Sequence, residues 1–170
     1  LKTAAPPVFA AVIVVFVFLQ LYLGALVAGL DAGLTYNTWP LMDGALIPDG
    51  LLWHSAFDDP KTAQFLHRMN AYVLLALALV QWLWLASRYR GTTHANRTMV
   101  FFVLVCLQAV LGITTLVLAG ITTDADPVAH LPIGWALAHQ GCALLVLGFA
   151  VAHWRGFFGE YPRPTDIAVR

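Results

Sequence analysis

Two histidines set the chemical question. His67 lies in FLHRMNAY (65–72) and His139 in PIGWALAHQ (132–140), each a few residues inside a long apolar run. An ionisable side chain in lipid-facing sequence is costly, so each is a site hypothesis that needs a partner. A neutral imidazole is also a ready ligand for transition metals. The other four of the six histidines read differently. His54 and His130 fall in connections on one side of the apolar runs and His94 in a connection on the other, where solvated side chains are expected. His153 closes the last run, where a cation complements the helix dipole. Arg68 follows His67 and is turned about 100° around the helix from it. It can snorkel to headgroups, or pair with an anion, for which Asp31 is one candidate.

The elements that must position these groups are membrane spans. The chain has 170 residues, 60% hydrophobic and 11% charged, with a mean hydropathy of +0.76. Soluble domains carry far more charge. There is no basic patch of the kind that binds nucleic acid. Cys106 and Cys142 both sit in apolar runs without CxxC spacing, so neither a disulfide framework nor a zinc site is indicated. Four runs meet the roughly 20 apolar residues a bilayer demands, at about 8–30, 62–87, 99–121 and 133–154. The first is too long for a signal-peptide core and is read as a retained helix. The chain opens on Leu1, as a fragment or a processed product would. Pro60 and Pro132 suit the starts of the second and fourth spans. Asp59 and Asn96 are the expected caps of the second and third.

Charge sets the expected topology. Arg88, Arg90 and Arg97 lie in one connection, and Arg155, Arg163 and Arg170 after the last span. The other two connections carry aspartates: Asp31, Asp43, Asp49, Asp58 and Asp59 in one, Asp124 and Asp126 in the other. By the positive-inside rule both termini are cytoplasmic and both acidic loops face outward. A repeat accompanies this topology. LQLYLG (19–24) returns as LQAVLG (107–112), and HRMNA (67–71) as HQGCA (139–143). The expected fold is therefore an all-α, integral membrane four-helix up-and-down bundle, made of two hairpins related by a pseudo-twofold axis along the membrane normal. Residues 1–170 form one domain.

In that bundle the histidines pair. Both enter from the outer face and lie roughly 8–9 Å deep at 1.5 Å per residue. The second and fourth helices oppose each other across a diagonal of roughly 11–14 Å, which suits two imidazoles with a metal between them. The neighbours of His67 one turn away are Ala63, Gln64, Asn70 and Ala71; those of His139 are Trp135, Ala136, Cys142 and Ala143. All but the tryptophan are small or slim, as a slot for a flat macrocycle requires. Two facing histidines without carboxylates indicate haem rather than zinc or a di-iron centre. Arg68 then has a haem propionate as its expected partner. The 31–61 connection, with Tyr36, Trp39, Leu41, Met42, Trp53 and Phe57 among its turns, is expected to be a structured lid over the outer end of the slot.

AGLDAGLTYNTWPLMDG (28–44), FLHRMNAY, LQAVLGITTL (107–116) and PIGWALAHQ together resemble the C-terminal half of the haem A synthase family, over nearly the whole chain. The resemblance implies a multi-pass protein of the bacterial cytoplasmic membrane, or of the mitochondrial inner membrane, built from two similar four-helix halves. It oxidises the C8 methyl of haem O to a formyl group, giving haem A for terminal oxidases. It implies haem b as the prosthetic group of this half, with His67 and His139 as axial ligands. The implied partners are membrane lipids, the N-terminal half, haem O synthase, the assembling terminal oxidase and an electron donor that the sequence does not identify. In the family's N-terminal half a catalytic glutamate stands three residues before the first histidine; here that place holds Gln64, which cannot transfer protons as a carboxylate does. This half is expected to bind haem without converting haem O alone. A standalone bis-histidine membrane cytochrome b is the alternative, and a cofactor-free helical scaffold the third reading.

Overall fold

Among the described residues there are four long helices: α1 (Ala5–Gly29), α2 (Pro60–Arg88), α3 (Thr93–Ala119) and α4 (Ile133–Gly159). A single 3-10 turn, Ala32–Leu34, follows α1. The structure, a computed structural model, describes residues 5–42, 44–51, 55–120 and 131–159. His54, His130, Trp53 and the charges at Lys2, Asp43, Asp124, Asp126, Arg163 and Arg170 lie outside the described residues. Among the described residues there is no strand beyond one isolated bridge, Met42 with Ala45.

All four helices are long and apolar enough to cross a membrane. Their outward surface is apolar, with Val15, Phe18, Val103, Val110, Leu144 and Leu145 all exposed. Water would penalise that surface, whereas lipid does not. The protein is a multi-pass, all-α membrane bundle.

The helices pack in a ring: α1 on α2, α2 on α3, α3 on α4, and α4 back on α1. α2 and α4 therefore face each other across the centre. The core between them is filled by Ile13 and Val17 from α1, Leu74 and Ala78 from α2, Phe101 and Val105 from α3, and Cys142, Val146 and Ala150 from α4. Alanines at these contacts let the backbones approach closely, which lipid-embedded helices need because no hydrophobic drive separates protein from tails.

Local chemistry explains the helix starts. Asp59 caps α2 as expected, its carboxylate accepting from the main-chain N–H of Lys61 and Thr62, with Pro60 in the first turn. α3 differs. It starts at Thr93, and its cap is Thr92, whose hydroxyl accepts from Ala95 N–H at 3.3 Å. Gly91, at φ 74°, makes the sharp reversal out of α2 and brings Thr92 into capping position. Asn96, the expected cap, lies inside the helix with its side chain exposed.

The long connection after α1 is structured and lies across one end of the ring. Its 3-10 turn packs on α1, α2 and α3, and Ala32 and Met42 are buried. Asn37 donates to the carbonyls of Gly33 and Leu116, fastening the loop to the end of α3. Trp39, Leu41 and Phe57 remain exposed at this end, and the Trp39 indole N–H donates to the Tyr72 hydroxyl at 3.1 Å.

Candidate functional site

The two singled-out histidines come together at the end of the bundle covered by this loop. His67 lies seven residues beyond Pro60 and His139 six beyond Ile133, so both stand roughly 9–11 Å along helices that start on the same side. Both are half-buried on diagonally opposed helices, and the two imidazoles lie within electrostatic range of each other.

Each imidazole is held from the helix that precedes its own. On α1, the Gln20 amide nitrogen lies 3.1 Å from Nδ1 and 3.2 Å from Nε2 of His67. On α3, the Gln108 amide nitrogen lies 3.5 Å from Nε2 of His139, whose Nδ1 lies 3.1 Å from the Gln108 main-chain oxygen. One turn further along, a glycine makes the room. A Cβ at Gly24 would sit 3.2 Å from Cε1 of His67, and one at Gly112 only 2.7 Å from Cε1 of His139. LQLYLG and LQAVLG are thus the two halves of the site's scaffold. The sequence repeat marked these segments, but it does not by itself say that Gln20, Gly24, Gln108 and Gly112 touch the histidines.

Arg68 is buried rather than snorkelling. Its Nη1 donates to the carbonyls of Thr38 and Leu41, and its Nη2 to the Tyr36 carbonyl and to Gln64 Oε1. Gln64 in turn donates to the carbonyls of Ala32 and Tyr36. Consecutive turns of α2 thereby clamp the loop across the bundle end. Asp31 is not among these partners, and its own side chain makes no capping hydrogen bond.

The remaining described histidines gather at the opposite end. His153 is 3% exposed, and neither ring nitrogen has a partner among the described residues. It is therefore not the solvated cation expected at a helix terminus, because α4 runs on for six more residues and covers it. His94 is not in a loop: it lies in the first turn of α3 and stacks on Phe157, ring centroids 4.4 Å apart. Gln81, fully buried, likewise has no partner for either amide atom among the described residues.

Among the described residues, no three His, Cys, Asp or Glu side chains gather as a metal cluster. Among the described residues, the loop end brings two imidazoles onto opposite helices with no carboxylate among their hydrogen-bond partners, a donor set suited to a metal carried in its own macrocycle.

A family model described as cytochrome oxidase assembly protein matches residues 2–151. The chain belongs to the cytochrome oxidase assembly protein family. Within that family it is 53% identical over 173 residues to a protein named heme A synthase from Sinorhizobium medicae (strain WSM419), covering 99% of this chain and 44% of the relative. It is 54% identical over 168 residues to the heme A synthase of Rhizobium meliloti (strain 1021), covering 95% and 42%. To that of Agrobacterium fabrum (strain C58 / ATCC 33970) it is 53% identical over 167 residues, covering 95% and 43%. The chain thus spans under half the length of these curated relatives and corresponds to their C-terminal part. No solved structure matches it.

Proposed function

We propose that the chain is the haem b-holding part of a haem A synthase, with His67 and His139 as the two axial ligands. The observation that carries this reading is the arrangement of the pair: two imidazoles on diagonally opposed helices, at one depth, each laid against a glycine and touched by a glutamine four residues before it. The relatives named heme A synthase, similar across nearly the whole chain, favour this over a standalone cytochrome b.

A haem bound between two imidazoles has no open iron position and supplies one-electron transfer rather than oxygen binding. The chain's residues do the rest. His67 and His139, on opposed helices, would hold the macrocycle. Leu74, Cys142 and Val146 belong to the buried apolar core of the bundle, which excludes water. Gln64 and Arg68 hold the loop over the end of the site. No described carboxylate neutralises Arg68, so its charge is available to a haem propionate at this end. Gln64 is committed to loop carbonyls and is no proton carrier, which fits an electron-relay role with haem O oxidised elsewhere in the complete enzyme. The arginine-bearing ends, with Arg88, Arg90, Arg97 and Arg155, face the cytoplasm, and the loop end faces outward across the bacterial cytoplasmic membrane. The complete protein takes haem O from its synthase and delivers haem A to the assembling terminal oxidase.

The test is an optical spectrum of the detergent-purified protein with haem b. A six-coordinate low-spin signal is expected, abolished in His67→Ala and in His139→Ala. A spectrum unchanged in either variant sinks the reading.

A further inference from the structure

The end of the bundle away from His67 and His139 holds a groove where α2 turns into α3. Its volume is about 420 Å³. The lining is graded along the helix axes. Trp82 and Leu83 of α2 and Met99 of α3 stand at its deep, apolar end, and Ser87, Arg90 and Asn96 at its mouth. Leu83 lies roughly 6 Å along the axis from Ser87, and Met99 roughly 4.5 Å from Asn96. On both walls, then, apolar gives way to polar within about one helical turn. Gly91, with open space where a side chain would stand, keeps the mouth clear. The Trp82 ring stacks on Phe102 of α3, centroids 5.2 Å apart, and joins the walls at that depth.

The mouth is basic, and no described carboxylate offsets it. No acidic residue occurs between Asp59 and Asp124, so α2, the turn and α3 carry none. Neither do α1 and α4. Three arginines lie near the turn, and they differ in place. Arg97 packs against Gly156 of α4. Arg88 is exposed and does not line the groove. Arg90 lines it and makes no hydrogen bond or ion pair with a described residue. An interfacial arginine ordinarily snorkels among headgroups at large; Arg90 instead stands at the lip of a defined groove. The walls also continue past the deep end. Val80, three residues before Leu83, and Val103, four after Met99, prolong the same helix faces, and both are exposed.

We propose that this groove seats one anionic phospholipid, its phosphate at Arg90 and Asn96 and an acyl chain between Leu83 and Met99, running toward Val80 and Val103. The guanidinium fork pairs with phosphate oxygens, and the Asn96 amide adds a further N–H. Basic grooves between spans suit anionic headgroups in this way. A zwitterionic lipid brings its own cation to Arg90 and gains less. Inorganic phosphate has only the mouth to hold it. The α2–α3 turn is the chain's one link between the hairpin of His67 and that of His139, so a lipid seated there braces their junction. The proposal rests on the membrane-spanning fold and is independent of the haem reading.

Trp82 lines the groove and reports its occupancy. The purified chain, in micelles of a neutral detergent, is titrated with phosphatidylglycerol carrying brominated chains, which quench a tryptophan they touch. The Trp82 share is the difference between wild type and Trp82→Phe. Quenching is expected at about tenfold less phosphatidylglycerol than phosphatidylcholine of the same chains, the worth of one charge-assisted hydrogen bond. Arg90→Gln is expected to remove that preference, and Arg88→Gln, in the same turn but off the groove, to keep most of it. Ala86→Phe fills the groove with every charge in place, and is expected to abolish saturable quenching of Trp82. Excess inorganic phosphate is expected to leave the phosphatidylglycerol curve where it is. Equal quenching by the two lipids, or equal losses in Arg88→Gln and Arg90→Gln, overturns the proposal and leaves a generally basic surface. Displacement by inorganic phosphate overturns the lipid as occupant. Should Ala86→Phe not fold, the two arginine variants, both at exposed side chains, decide the matter.

Discussion

Gln64 and Arg68, one helical turn apart, donate to the same acceptor, the main-chain oxygen of Tyr36, at 3.1 and 2.9 Å. They are also joined to each other, Arg68 Nη2 to Gln64 Oε1 at 3.1 Å. The pair turns a polar stretch of α2, costly in lipid, into the fastening of the loop that crosses the bundle end. In a low-dielectric setting such bonds are strong when complete and expensive when broken.

Arg68→Lys is expected to loosen this fastening although the charge is kept. An ammonium is a point donor and cannot span the carbonyls of Tyr36, Thr38 and Leu41 as the guanidinium fork does. The loss is on the order of 2 kcal/mol. Limited proteolysis should then cut between Asp31 and Asp59 much faster than in the wild type, with the helices left intact. Equal cleavage rates would show that the loop is held by other means.

Gly112→Ala and Gly24→Ala are expected to separate stability from ligation. Alanine is the better helix former by about 1 kcal/mol, so neither variant should unfold the bundle. The new methyl must move the imidazole, and more so at Gly112, where its ideal position is 2.7 Å from Cε1, than at Gly24, at 3.2 Å. Haem content per protein should fall strongly in the first and mildly in the second at unchanged helicity. The reverse order would contradict the half-site geometry.

Gln81→Leu is expected to stabilise the protein by about 1–2 kcal/mol, because leucine removes two buried polar atoms that have no partner among the described residues. The midpoint of denaturation in mixed micelles measures this. A drop instead would reveal a water or other partner on that amide.

The fold was legible because membrane sequence is simple to read: span length, flanking arginines and proline-marked starts are all set by the bilayer. The position of His67 and His139 at one depth followed from counting residues along helices. What pattern could not supply was contact. Asn96 and Thr92 are both good caps by type, and only the glycine reversal at Gly91 decides between them. His153 ends the apolar run and so reads as terminal, yet the helix continues past it through Arg155 and Phe157, and the ring is buried. Arg68 beside an apolar segment suggests a headgroup contact, because the sequence does not show that loop carbonyls fold back over it. The glutamines were visible in the repeat itself, but a polar residue in a span gives no sign of which neighbour it will satisfy.

Each imidazole is secured by the helix just before it, Gln20 of α1 to His67 of α2 and Gln108 of α3 to His139 of α4. Ancestry is therefore easy to picture. A gene encoding one helical pair, once doubled, would carry an imidazole held by a glutamine into each copy.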